Sequence, residues 1–444
     1  MNDSWIKYLP ASLRAKLQSR HNLQAIIGNS GWLLADRFVR MGIGLTIGIW
    51  IARYLGPNDY GVLGYAIAFV SLFTTFATLG LDSLVVRDLA VDTARKSEIL
   101  GSALVIKIGG GVLAYALVLV AIHMVQPGNK PMLALVAIIG GGFLFQSMDT
   151  MDFWFQSQLQ AKYTVLARCT AFLVAAAARV WLLLSHAGLA AFAWAMLLEL
   201  ALASLALLTL FQTTGNSIAR FQVSWQTVRR LLGDSWPLAL SGMFVLLTMQ
   251  LDRIILGHLR GNAAVGLYSV ASQLSTLWYM VPMIFGASIA PSIARSFAAR
   301  EDRYLRNLQE VYATLSAISV VAAIAISLLA NPIVKLLFGP GYEGAGQVLA
   351  IHIWGGVFVF HVSIRTRALV AEGKQRLITQ IAALTLFANI GLNMLLVPTY
   401  GAAGAASASL ISWALCATLF PLIWRETRRS VAMFLESLWL YRPR

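Results

Sequence analysis

Apolar stretches about twenty residues long recur along this 444-residue chain, with short polar segments between them. Because a membrane-spanning helix needs about 20 consecutive, largely apolar residues, each stretch predicts one span. The pattern predicts twelve spans, at 30–54, 61–83, 99–124, 131–153, 164–185, 188–213, 233–258, 264–292, 309–331, 345–370, 376–396 and 401–424. All connecting segments are short, so we predict that any chemistry takes place among the helices.

Composition agrees with this pattern. Hydrophobic residues make up 58% of the chain and charged residues only 12%, whereas a soluble domain has about 25% charged residues. We therefore predict an all-α, polytopic membrane protein. The two cysteines, Cys169 and Cys416, lie in apolar stretches without metal-ligand spacing, and we interpret them as buried small side chains. No metal site, catalytic residue or cofactor is predicted.

The basic residues are distributed unevenly over the predicted loops. Most of the 34 Lys and Arg residues fall on the two terminal segments and on every second loop, which places them on one side of the membrane. By the positive-inside rule, that side is the cytoplasm, and both termini lie there. This distribution accounts for the net charge of +15 without a nucleic-acid partner.

The two halves of the chain carry a weak internal repeat. The segment Tyr54–Gly61 recurs 205 residues later as Leu259–Gly266, with Gly56 and Gly61 in register. Each segment joins the first two spans of a six-span half. Because six is an even number of crossings, both halves start on the same side and share one orientation, as in parallel transporter repeats. We predict a basic, interfacial N-terminal segment at 1–29 and a first six-helix lobe at 30–214. A cytoplasmic linker at 215–232 leads to a second six-helix lobe at 233–424, and a basic cytoplasmic tail follows at 425–444.

Several motifs resemble those of the polysaccharide-repeat (Wzx-type, O-antigen and capsule) flippases of the MOP exporter superfamily. They are Asn29–Arg37 (NSGWLLADR), Arg53–Gly61 (RYLGPNDYG), Leu79–Asp82 (LGLD), Leu251–Leu256 (LDRIIL) and Gly266–Ser269 (GLYS). The resemblance extends over all twelve predicted spans. The lack of a thirteenth and a fourteenth span distinguishes the chain from lipid II flippases, which belong to the same superfamily.

The resemblance implies a V-shaped, MATE-like bundle of two lobes. It also implies transfer of undecaprenyl-pyrophosphate-linked oligosaccharide across the bacterial inner membrane for O-antigen, capsule or exopolysaccharide synthesis. The expected partners are this lipid-linked substrate, membrane lipids and the polysaccharide polymerase machinery. A proton or sodium gradient is the expected energy source.

Charged residues inside predicted spans are the candidate site residues, because each costs about 2.5–3.5 kcal/mol on insertion scales and persists mainly in wet or interior positions. Arg37 and Arg40 share one face of the first span, and Arg253 shares a face of the seventh span with Gln250. Arginine suits pyrophosphate because its planar guanidinium donates two hydrogen bonds at once. We predict that these four residues bind the pyrophosphate, in an inner and an outer station.

Other intramembrane charges have alternative interpretations. Four aspartates are candidates for ion coupling or gating, although each is also explained by a structural role: Asp36, Asp149, Asp152 and Asp252. Arg179 and Glu199 are predicted to form an ion pair between consecutive spans. Lys107 is either a further cavity residue or a side chain that extends to the interface.

Two other functions remain open at this stage. A MATE-type, cation-coupled antiporter of small molecules would use a membrane acid such as Asp36 or Asp252, but the three arginines disfavour cationic drugs as cargo. A membrane polymerase or ligase is disfavoured because such enzymes carry a long extracytoplasmic loop, and the pattern predicts none.

Overall fold

A computed structural model describes residues 21–298 and 304–438 of the chain. Within these ranges every regular element is helical, as the sequence predicts. The α-helices are α1 (His21–Ser71), α2 (Thr74–Thr78), α3 (Asp82–Val91), α4 (Lys96–Val125), α5 (Lys130–Gly140), α6 (Gly142–Phe145), α7 (Asp149–Ser157), α8 (Ala161–Leu184), α9 (Leu189–Thr213), α10 (Trp225–Arg260), α11 (Asn262–Ala298), α12 (Tyr304–Phe338), α13 (Ala345–His352), α14 (Gly355–Ala371), α15 (Gln375–Ala417) and α16 (Arg425–Leu438). The predicted interfacial segment before residue 21 lies outside the described residues.

Among the described residues, nine helical segments are long and apolar enough to cross a membrane. Two of them, Asp36–Ser71 and Gln375–Leu422, each cover parts of two predicted spans. Each is bent at a glycine with non-helical backbone angles, Gly56 or Gly401. With α11, which carries the predicted span 264–292, each of the twelve predicted spans has its helix. The protein is a multi-pass, all-α membrane protein.

Large apolar side chains are exposed on the outer faces of these helices. Trp181 is 66% exposed, Leu328 78% and Leu395 70%. A soluble protein would bury such side chains, but in a bilayer they face hydrocarbon, and the helices satisfy their own backbone hydrogen bonds. The exposed faces therefore agree with the hydropathy pattern.

Two predicted spans are interrupted. The span predicted at 61–83 breaks after Ser71, and the short helix α2 follows it. The span predicted at 131–153 passes through a 3-10 turn, Gln146–Met148. Glycines allow close packing at these breaks: a Cβ on Gly110 would lie 2.4 Å from the carbonyl oxygen of Phe76, and one on Gly111 would lie 2.6 Å from that of Phe143.

Helical structure also extends into segments that were predicted to be linker and tail. Helix α10 begins at Trp225, inside the predicted linker 215–232, and α16 occupies the start of the predicted tail. Helix α16 is amphipathic and buries Val431, Met433 and Phe434. A search for uniformly apolar stretches does not detect a helix of this kind, because only one of its faces is apolar.

The described chain forms two compact units. Unit 1 contains the residues up to Ile47 together with Phe76–Leu117 and Ile138–Trp236. Unit 2 contains Gly48–Thr75, Val118–Ala137 and the residues from Pro237 onward. The core of unit 1 includes Leu81, Phe155 and Phe211, and that of unit 2 includes Tyr312 and Phe360. The lobe boundaries taken from the span count, 30–214 and 233–424, stay a prediction.

Within unit 2 the two repeat segments contact each other reciprocally. A Cβ on Gly61 would lie 1.8 Å from the carbonyl oxygen of Asn262, and one on Gly266 would lie 1.9 Å from that of Pro57. These two contacts are related by the same 205-residue offset that relates the sequences. Gly56, like its counterpart Gly261, has a positive φ. The repeat thus forms a close backbone contact that only glycine allows.

Candidate functional site

Arg253 lines a cavity of about 310 Å³ in unit 2. Its Nη1 donates to Gln250 Oε1 at 2.7 Å, and its Nη2 donates to Ser272 Oγ at 2.9 Å. Among the described residues, its Nε has no hydrogen-bond partner. The two neutral acceptors orient the guanidinium without neutralising its charge, so the cavity has a cationic wall.

Polar groups from both halves of the sequence surround the same cavity. Tyr60 Oη donates to Gln273 Oε1 at 2.8 Å, and both residues line the cavity with Arg253. Gln273 also covers Gly48, whose Cβ would lie 2.8 Å from the amide nitrogen. Gly48 therefore packs against this side chain.

Asp252 points away from this cavity into a polar network within unit 2, and it is 2% exposed. Its carboxylate accepts hydrogen bonds from Tyr268 Oη at 2.6 Å, Asn393 Nδ2 at 2.7 Å and Asn389 Nδ2 at 3.1 Å, and from the Ser409 hydroxyl. The ion pairs found among the described residues do not include this carboxylate. The buried carboxylate is therefore stabilised by hydrogen bonds from neutral groups and not by an ion pair within the described residues.

In unit 1, the predicted residues of the first span have different surroundings. Asp36 accepts a hydrogen bond from Cys169 Sγ at 3.0 Å. Arg37 is exposed, and Arg40 is half-buried with its Cζ 5.5 Å from the centre of the Phe172 ring. The interpretation of Cys169 as a buried apolar side chain is thus wrong, because it is half-buried and bonded to Asp36. Cys416 is buried, as predicted.

A second charged cluster in unit 1 contains three of the predicted residues. Lys107 is 1% exposed, and its Nζ lies 4.0 Å from carboxylate oxygens of both Asp82 and Asp149. Arg168 links the two aspartates of α7, at 3.3 Å from Asp149 and 2.9 Å from Asp152. Lys107 is therefore buried beside two carboxylates.

Arg179 and Glu199, on the neighbouring helices α8 and α9, form an ion pair with an N–O distance of 2.7 Å. Both side chains are partly buried, with 15% and 21% exposure. This pair neutralises two charges inside the span region and joins the two helices.

Sequence reasoning missed several residues of these sites. They are Tyr60 and Gln273 in the cavity, Ser272 as a partner of Arg253, Tyr268, Asn389, Asn393 and Ser409 around Asp252, and Asp82 and Arg168 in unit 1. A usable signal was the clustering of uncharged polar residues within apolar stretches. Asn389 and Asn393, four apart on one helix, are an example.

Comparisons with known proteins agree with this architecture. A Shigella flexneri protein named as an O-antigen transporter is 22% identical over 424 residues, which cover 91% of this chain and 98% of the relative. A Haloferax volcanii protein named as the flippase AglR is 26% identical over 168 residues, which cover 37% of this chain and 35% of that protein. The chain therefore matches about a third of the latter relative.

Solved structures share the fold. An inward-facing multidrug-resistance transporter of the MATE family within the MOP superfamily has a TM-score of 0.73 and 14% identity, with 90% of this chain and 94% of that chain covered. The lipid II flippase MurJ in an inward closed conformation has a TM-score of 0.71 and 14% identity, with 91% and 90% covered. The fold is that of the MOP superfamily, as the sequence predicts.

The sequence profile of one family, described as "Polysaccharide biosynthesis protein", matches residues 50–346. The match begins within α1 and extends through the cavity around Arg253 to the start of α13. Since it spans more than half of the chain, this multi-pass membrane protein belongs to the polysaccharide biosynthesis protein family.

Proposed function

We propose that the protein is a flippase for undecaprenyl-pyrophosphate-linked oligosaccharide repeat units. It moves them from the cytoplasmic to the outer leaflet of the bacterial inner membrane for O-antigen, capsule or exopolysaccharide synthesis. The observation that carries the proposal is the Arg253 cavity, because a cationic wall among membrane helices suits an anionic substrate. Its family and its relatives, named as an O-antigen transporter and a flippase, support the assignment.

The pyrophosphate is the part of the substrate that the arginines recognise. The Arg253 Nε has no acceptor among the described residues, and its guanidinium is already oriented by Gln250 and Ser272, so little rotamer entropy is lost on binding. In unit 1, Arg37 and Arg40 provide the second cationic position. The sugars occupy the polar surroundings of Tyr60 and Gln273, and the lipid tail stays in the bilayer.

Transport proceeds by alternating access, with both termini and the linker in the cytoplasm. The glycine contact between Pro57–Gly61 and Asn262–Gly266 closes the end of unit 2 that the charge distribution predicts to be extracytoplasmic. Release of the substrate on that side requires this contact to open. Product then passes to the polysaccharide polymerase machinery on the outer face.

Asp252 is the site at which a proton or sodium ion couples to transport. The buried Oδ1 atoms of Asn389 and Asn393 lack hydrogen-bond partners among the described residues. An amide group can rotate to present either its oxygen or its nitrogen, so both amides can offer oxygen to a cation beside the carboxylate. Carboxylate, amide and hydroxyl oxygens are the ligands that hard cations prefer, so the residues present fit sodium as well as a proton.

Replacing Asp252 with asparagine is expected to make export insensitive to the coupling gradient and to lower its rate at least about tenfold. The substitution keeps the size of the side chain but removes the charge that a cation neutralises. Glycan export is measured in cells after the proton gradient is collapsed with a protonophore, and separately after sodium is replaced by potassium. Asp234→Asn, at an exposed position of the same helix, is the matched control. Wild-type export with an intact gradient response in Asp252→Asn would contradict the coupling role.

Deletion of the gene tests the function itself. Lipid-linked oligosaccharides are expected to accumulate on the cytoplasmic leaflet of the deletion strain, and their mass identifies the repeat unit. Surface glycan is expected to fall and to return with a plasmid copy of the wild-type protein. A deletion strain with normal surface glycan and no accumulated intermediate would refute the proposal.

The same strain separates the flippase from the antiporter alternative. A MATE-type antiporter predicts normal glycan together with increased sensitivity to cationic drugs. The cationic wall at Arg253 disfavours this alternative, because it repels cations that enter the cavity. The fold likeness to MATE transporters is equally compatible with both functions.

A further inference from the structure

A second cavity, of about 330 Å³, lies in unit 2 away from Arg253. It is enclosed by the beginning of α12, the end of α14 and the amphipathic helix α16. Leu308 and Met433 form part of its apolar lining. The charge distribution predicts that this end of the unit faces the cytoplasm.

Tyr312 contributes a hydroxyl that lacks a protein partner. Its side chain lines the cavity and is only 1% exposed. In the described part of the chain no group forms a hydrogen bond with its Oη. A buried hydroxyl is rarely left unpaired, because its desolvation is not compensated. The unpaired Tyr312 hydroxyl indicates that a hydrogen-bond acceptor of a ligand enters the cavity.

Arg365 contributes a buried positive charge to the same cavity. It is 3% exposed, and its Nη1 donates to the backbone oxygens of Cys416 at 2.8 Å and Ala417 at 3.4 Å. These carbonyls lie at the end of α15, whose dipole offsets part of the charge. No ion pair with a carboxylate is formed within the described residues. The guanidinium therefore keeps an excess of positive potential.

The remaining charges of the cavity are arranged around these two groups. Glu372 is neutralised by Lys374, at an N–O distance of 2.7 Å. Arg429 and Glu426 are both exposed on α16 and line the cavity. Apart from the Glu372–Lys374 pair, the charged lining residues are Arg365, Arg429 and Glu426, so the lining carries a net positive charge.

We propose that this cavity binds a phosphate-bearing group, either a phospholipid headgroup or a soluble phosphate compound. A phosphate oxygen accepts a hydrogen bond from the Tyr312 hydroxyl, and the phosphate charge is balanced by Arg365 and Arg429. The apolar lining beside these groups favours a lipid, since the acyl chains of a phospholipid follow closely on its phosphate and glycerol. This site is independent of the flippase assignment and of the Arg253 cavity.

Tyr312→Phe tests the proposal, since it removes the orphan hydroxyl and keeps the ring. In the purified, delipidated full-length protein, we expect this variant to be at least as stable as wild type, because an uncompensated buried hydroxyl is lost. Thermal unfolding is then followed with inorganic phosphate, and separately with phosphatidylglycerol in mixed micelles. We expect one of the two probes to raise the Tm of the wild-type protein. The same probe should raise the Tm of Tyr312→Phe and of Arg429→Gln by less than half as much.

Arg376→Gln is the matched control, because Arg376 is exposed close to Lys374 but is not part of the cavity lining. Its response should equal that of wild type. A response to phosphatidylglycerol alone identifies a lipid headgroup, and a response to inorganic phosphate identifies a soluble source; both support the site. Equal shifts in wild type, Tyr312→Phe and Arg429→Gln, or no shift in wild type with either probe, overturn it.

Discussion

Replacing Arg253 with alanine is expected to abolish glycan export while the protein still inserts into the membrane. The substitution removes the cation of the cavity and leaves Gln250 and Ser272, which orient it, without their donor. Hydrogen bonds to charged groups contribute about 1.5–3 kcal/mol each, so the loss of one or two such bonds to pyrophosphate lowers affinity at least about tenfold. Export is measured as surface glycan, and insertion as the amount of protein in the membrane fraction.

Two further variants make the Arg253 result specific. Arg253→Lys keeps the charge but loses the planar donor pair, so partial recovery of export is expected. Arg229→Ala, at an exposed position of the same helix, is the matched control and should export normally. The model of a pyrophosphate-binding arginine fails if Arg253→Ala exports at the wild-type rate at normal expression.

The parts of the site that the sequence predicted are those that depend on local spacing. Gln250 and Arg253 are three residues apart, and the structure joins them directly through a hydrogen bond. The long apolar stretches similarly predicted the spans, because a bilayer imposes both a minimum length and a helical backbone. The contact between the two repeat segments in unit 2 was not predicted, although these are the segments that the 205-residue offset relates.

The parts that sequence reasoning missed depend on contacts between distant segments. Asp252 is bonded to Asn389 and Ser409, which lie 137 and 157 residues further along the chain. No local pattern specifies which faces of their helices meet. Arg168 is similar, because its pairing with Asp149 and Asp152 requires α7 and α8 to fold back on each other.

Gly61→Ala and Gly266→Ala are expected to prevent the backbone contact between Pro57–Gly61 and Asn262–Gly266 from closing. Each added Cβ would lie within 1.9 Å of a backbone oxygen, and a backbone atom cannot move aside as a flexible side chain does. Overpacking of this kind costs about 1–3 kcal/mol, which shifts a closed–open equilibrium at least about fivefold. Export should fall, because transport needs the contact to close as well as to open.

The opening is measured with a cysteine reporter in the Arg253 cavity. Gln273→Cys is introduced into a chain in which Cys169 and Cys416 are replaced by serine, and cells are treated with a membrane-impermeant thiol reagent. The reporter should react at least about fivefold faster in Gly61→Ala and Gly266→Ala than in the parent chain. Gly341→Ala is the matched control, since a Cβ there lies 3.6 Å from Pro57, an ordinary van der Waals distance.

The symmetry of the contact supplies a second criterion. Because the Gly61 and Gly266 contacts are related by the repeat, each alanine obstructs the same closure from the opposite side. The two substitutions should therefore act less than additively in the double variant, since the contact is already open in either single one. Unchanged labelling in both single variants, or labelling that rises equally in Gly341→Ala, would show that this contact does not control access from outside.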